Sequence, residues 1–124
     1  MKLKKLTTLL VVDAIEACLA TWQALGYEVT ARVPDEGPLG FVILTGSTGE
    51  LMLQTRANLA EDLPAVAATK PSHLLYGEVA SLSDGERALS RARVLVPRRK
   101  TFYGAFEVWF ELENSAILGL AEHA

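Results

Sequence analysis

The stretch PRRKTFYGAFEVWFELENSAILGLAE, residues 97–122, reads as a basic turn, an aromatic strand over 104–112, a polar turn at Glu113-Asn114-Ser115 and an apolar strand over 116–121. Residues 34–54, PDEGPLGFVILTGSTGELMLQ, follow the same order: a turn rich in proline and glycine, an apolar strand, a small polar turn, and a second apolar strand. Two such hairpins about 65 residues apart point to a chain built twice.

Working outward, each hairpin is preceded by a strand, a helix and another strand. Residues 6–12 (LTTLLVV) are β-branched and apolar, and Asp13 with Glu16 three residues on has the form of a capping box. Ile15, Cys18, Leu19, Trp22 and Leu25 then recur at helical spacing up to Gly26. Residues 27–33 alternate, with Tyr27, Val29, Ala31 and Val33 on one face. Residues 56–72 carry Pro64 and Pro71 and no sustained period, so they read as a connector with one helical turn. Residues 74–79 are the next strand, Ser83 and Glu86 open a short helix marked by Ala88, Leu89 and Ala92, and residues 94–96 form a strand. The expectation is an α+β fold of two tandem βαβββ modules, curled mixed sheets around a cleft, within a single domain over 1–124. Module one spans about 1–56, the connector about 57–72 and module two about 73–124.

Half of the residues are apolar and 22% are charged, an ordinary globular balance. The net charge is -3, and the twelve Lys and Arg are scattered apart from Lys2-Lys4-Lys5 and Arg98-Arg99-Lys100, so no nucleic-acid partner is expected. No apolar run approaches the roughly 20 residues of a membrane-spanning helix. The opening MKLKKLTTLLVVDA is cut short by Asp13 and has no A-x-A cleavage site, so it reads as a strand rather than a leader. A single cysteine, Cys18, fits a reducing cytoplasmic compartment.

The segments VVDAIEACLATWQALGYEVTAR, PLGFVILTGSTGELMLQ, LLYGEVASLSD and TFYGAFEVWFELENSAILGLAE, in this order and duplicated, resemble the vicinal oxygen chelate superfamily. That superfamily includes glyoxalase I, extradiol dioxygenases, and fosfomycin- and bleomycin-resistance proteins. The resemblance implies two βαβββ modules around a shared cleft, completed by pairing of two chains. It also implies a divalent metal held by side chains of the first and last strands of each module, typically His, Gln or Glu. Counting back from Asp13 and Ser81, those positions fall on Leu6 and Leu74, and the strand ends give Gln54 and Gly119. Three of the four have no donor, so the expectation is no metal cofactor and no catalytic residue. His73, beside Leu74, reaches the cleft only if a bulge turns it, and His123 lies in the tail.

Strand parity then sets the cleft lining. It places Leu6, Thr8 and Leu10 on the first strand, Met52 and Gln54 at the end of the first module, and Leu74, Tyr76 and Glu78 on the fifth strand. On the aromatic strand, Phe106, Val108 and Phe110 form the helix-side row, which sends Glu107, Trp109 and Glu111 to the cleft. Trp109 is the expected ligand plate, with Glu107, Glu111, Tyr76, Glu78, Gln54, Met52 and Thr8 around it. Aromatic faces and carboxylates suit a flat, partly cationic guest. The expected function is a metal-free homodimer that sequesters an aromatic or cationic compound, in the manner of bleomycin-resistance proteins and so conferring antibiotic resistance. The alternative is a metal-dependent lyase or dioxygenase using Gln54, His73 and Glu107 in a rearranged site.

Overall fold

The computed structural model describes residues 1–123, which divide into two compact units, residues 8–73 and residues 1–7 with 74 onward. The fold is α+β, with eight strands and four short helices among the described residues. None of these helices is long and apolar enough to cross a membrane.

Strand β1 (Leu3–Val12) contributes its later residues to the first unit, where it pairs in parallel with β4 (Gly49–Thr55). Strands β2 (Glu28–Val33) and β3 (Phe41–Gly46) complete an antiparallel run, in the order β2-β3-β4-β1. A parallel first and last strand is what a βαβββ module produces, because the helix carries the chain across the sheet. The helix, α1 (Leu19–Ala24), is shorter than its period predicted. Asp13 does not cap it. Its carboxylate accepts from Arg56 Nε at 3.0 Å, and Glu16 accepts from the Leu39 amide at 2.8 Å, so both potential cap groups serve other segments. Ile15 still enters the core with Val42, Leu44, Leu51 and Leu53, and Cys18, Leu19 and Trp22 pack against it. Leu25 lies beyond the helix and is exposed. Gly26, at φ +91°, ends the helix as expected, since only glycine enters that region freely. On β2 a register shift between Val29 and Ala31 interrupts the alternation and leaves both exposed.

The connector holds more structure than its prolines advertise. Helix α2 (Arg56–Asp62) starts at Thr55, whose hydroxyl accepts from the Asn58 amide at 3.0 Å, and α3 (Pro64–Ala67) places Pro64 in its first turn, where no amide hydrogen is needed.

In the second unit the order is β5-β8-β7-β6, again with a parallel pair, β5 (His73–Val79) and β8 (Ile117–Glu122). Helix α4 (Leu82–Ala88) packs on this sheet, and Val79, Leu82, Val108, Phe110, Leu118 and Leu120 form the core between them. Each of these side chains contributes roughly 1.5–3 kcal/mol by leaving water. The cap is Ser81, which accepts from the Asp84 amide at 3.2 Å, not Ser83, whose hydroxyl accepts from Arg98. The basic cluster is not a turn. Strand β6 (Arg93–Lys100) runs through it to pair with β7 (Phe106–Glu111), tolerating Pro97 because β6 lies at the sheet edge.

Candidate functional site

Registers decide which side chains share the sheet face away from the helices. On β1, Thr8 and Leu10 align with Leu51 and Leu53 of the core, so they belong to the helix side, and their expected placement on the cleft face is off by one residue, while Leu6 is exposed. Leu9 and Val11 take that face instead, beside Met52 and Gln54, which lie where parity put them. Gln54 is buried and donates to Asn58 at 2.7 Å.

In the second unit the parity holds. Leu75 and Val79 pack toward α4, leaving Leu74, Tyr76 and Glu78 on the other face. Across β7, β8 and β5 the register builds two rows, Trp109 beside Gly119 beside Tyr76, and Glu107 beside Ala121 beside Glu78. The small residues of the central strand are what let the large flanking ones lie down. A methyl group at Gly119 would meet three atoms of the Trp109 ring at 2.7 Å, and the Tyr76 and Trp109 rings stand 6.1 Å apart. Trp109 is therefore buried, 3% exposed, and not the open plate its parity implied. Phe106, expected in the buried helix-side row, is exposed at the strand end, and Glu111 is half-buried and pairs with Arg93 at 3.4 Å.

Glu107 is the centre of this face and is 1% exposed. Its Oε1 accepts from Trp109 Nε1 at 2.9 Å and from Arg99 at 3.0 Å (Nε) and 2.6 Å (Nη2). Its Oε2 accepts from the Tyr103 hydroxyl at 3.1 Å and the Tyr76 hydroxyl at 3.4 Å. The Tyr76 hydroxyl also lies 3.1 Å from that of Tyr103 and 3.4 Å from His123 Nε2. His123 stacks on Tyr103, 6.1 Å between centroids and 27° between planes, with Nε2 3.9 Å from Glu78. Tyr103 is held in place by the β6–β7 turn, where Thr101 bonds Ala105 through both backbone and hydroxyl and Gly104 adopts φ +87°.

Sequence reasoning missed Arg99, Tyr103 and His123. The available signal was the antiparallel register: with β6 recognised as a strand, Arg99 falls opposite Glu107. The consequence is electrostatic. A carboxylate paired with a guanidinium and three further donors has no remaining attraction for a cation, so the cation-drawing role expected of Glu107 fails.

Burial raises the pKa of Tyr76 above the usual phenol range, helped by the Tyr103 hydrogen bond and the Glu107 charge, and raises that of Tyr103 from 10.0 to about 12 for the same leading reason, with Glu107 next. Both phenols thus act as donors at neutral pH. Because the folded-state pKa of Tyr103 exceeds the unfolded one, its stabilisation is complete below pH 10 and is lost as the pH rises toward 12. Stability measured by urea titration is expected to fall over that window and to fall less in Tyr103→Phe; parallel pH profiles would contradict the bond.

The resemblance implies a divalent metal, and the residues do not fit one. Leu74 is fully buried, Trp109 fills the space a donor at position 119 would need, and Leu6 is an exposed leucine, so Gln54, whose Nε2 donates to Asn58, is the single donor among the four positions. The rearranged set is engaged locally as well, with His73 exposed beside the Ser72 hydroxyl and Glu107 saturated. Among the described residues no three His, Cys, Asp or Glu side chains gather as a metal site.

No family model and no curated protein matches the chain. Solved structures do. A glyoxalase/bleomycin resistance protein/dioxygenase superfamily member from Vibrio splendidus 12B01 is 14% identical with a TM-score of 0.72, covering 95% of this chain and 97% of that one. A methylmalonyl-CoA epimerase from Mycobacterium tuberculosis is 16% identical with a TM-score of 0.70, covering 98% and 89%. One from Streptomyces coelicolor is 17% identical with a TM-score of 0.68, covering 99% of each chain. The chain has the vicinal oxygen chelate fold of tandem βαβββ modules.

Proposed function

We propose that this chain is a metal-free small-molecule-binding protein, active as a cytoplasmic homodimer, that takes a flat aromatic compound on the second-module face carrying Tyr76, Glu78, Glu107, Trp109, Tyr103 and His123. The observation that supports this is the buried Glu107 carboxylate, paired with the partly exposed Arg99 and its aromatic donors, on a face that α4 does not use. A buried carboxylate is a poor route to stability compared with apolar packing, even with a cation at its edge, so its presence here favours a use in recognition. The stacked Tyr103 and His123 rings, both partly exposed, offer a surface to a planar guest. Glu78 replaces Glu107 as the group that favours positive charge on that guest, since its side chain remains 30% exposed. Exposed Val94, Phe102 and Phe106 support pairing with a second copy.

A panel of aromatic amines titrated by calorimetry tests this. The expected result is saturable binding that Glu78→Gln weakens by about 1 kcal/mol, a partly solvated charge contact, and that Tyr103→Ala weakens by about 1–3 kcal/mol. Absence of saturable binding across the panel would defeat the reading, and stoichiometric Zn, Ni, Mn or Fe in protein purified without chelator would defeat its metal-free part. Sedimentation giving only a species of 13.4 kDa would remove the dimer. If the guest is an antibiotic, expression should raise the inhibitory concentration for a sensitive host.

A further inference from the structure

A separate groove lies in the first unit, where the connector helices meet β1. Its volume is about 460 Å³, within the roughly 300–1,000 Å³ of small-molecule sites. The floor is apolar, from Val11, Leu59, Ala60 and Ala67, and Arg56 and Lys70 are its charged lining residues.

Both cations are placed by specific features. Arg56 is fixed by Asp13 at Nε (3.0 Å) and by the Pro71 carbonyl at Nη1 (3.3 Å), while its Nη2 has no partner among the described residues. Lys70 sits just after α3 at φ +53°, with its amide on the Ala67 carbonyl at 2.9 Å. That left-handed conformation is one glycine adopts freely and lysine does not. A strained residue kept in place points to a use for its side chain, and the Lys70 ammonium is exposed and without an ion-pair partner among the described residues. The chain as a whole is acidic, so this cationic rim runs against its net charge.

We propose that this groove binds a monocarboxylate with an aliphatic body. The two cations less the Asp13 carboxylate leave one unit of positive charge, which matches a single carboxylate better than a phosphate dianion, and the open Nη2 edge with the Lys70 ammonium can grip its two oxygens. The alkyl body covers Val11 and Leu59.

The test is a titration of the isotope-labelled full chain with octanoate, followed by amide NMR, with octanol as the uncharged control. Saturable shifts at the amides of Ala60, Ala67 and Lys70 are expected. Octanol should bind more weakly by about fivefold or more, the scale of one partly exposed charge contact. Lys70→Gly should weaken octanoate to a similar extent while keeping the fold, because glycine relieves the left-handed turn; Arg56→Met is the second variant. Equal affinity for octanol, unchanged octanoate affinity in both variants, or saturable shifts confined to Tyr103, His123 and the Trp109 indole would each overturn the proposal.

Discussion

Glu107→Ala is expected to destabilise the protein by about 3 kcal/mol, the lower end of the cost of removing one partner from a buried charge pair, because the Glu107 side chain is 1% exposed and that of Arg99 27%. The loss has several parts. Arg99 loses the carboxylate oxygen that takes both its Nε and Nη2, and the Trp109 indole and the Tyr76 and Tyr103 hydroxyls lose their common acceptor in a dry environment. Glu107→Gln keeps the shape and one acceptor oxygen, and its amide can donate toward the two phenols, so about half that cost is expected. Urea unfolding at neutral pH measures both. A loss below about 1 kcal/mol for the alanine variant would mean that the carboxylate is solvated, removing the anchor of the proposed site as well.

The second large effect is at Trp109. Alanine there should cost about 3–5 kcal/mol, as for a core tryptophan, because the ring is 3% exposed and lies over Gly119. Gly119→Ala should itself be destabilising, since the new methyl meets the indole rather than open space. The two should couple: in a Trp109→Ala background the Gly119→Ala substitution is expected to become nearly neutral. A double-mutant cycle reads this directly, and additive effects would show that the ring does not rest on position 119.

Trp109 also shows where sequence reasoning succeeds and stops. Alternation along β7 identified the correct face, because Val108 and Phe110 had to meet Leu82 and Leu120. Exposure was illegible, since it depends on Gly119 of the neighbouring strand, which only the cross-strand register places beside the indole. The duplication was legible from turn chemistry in both hairpins, and the mixed sheets expected from it are those the structure builds, with a parallel pair in each unit. Helix starts were less so. Asp13 and Ser83 each have a capping residue's chemistry, but Arg56 and Arg98 compete for their oxygens, and those partners are distant in sequence. On β1, counting back from a cap that was not a cap put Thr8 and Leu10 on the wrong face, as a slip of one residue must. Arg99 was hidden for a related reason: a run of three basic residues after a proline looks like a turn until the strand opposite it is known.

The discontinuity of the second unit has a consequence for synthesis. Residues 1–7 belong with residues from 74 onward, and Leu3 lies against Gly77, where an added methyl would meet it at 3.0 Å. Residues 1–7 thus leave the ribosome well before the residues they pack with. At roughly 5–20 residues per second, the delay is on the order of 3–14 s, during which a segment carrying Leu3 and Leu6 waits unpaired. Lys2, Lys4 and Lys5 interrupt that apolar segment, and their charge favours its solvation until the partner strand emerges.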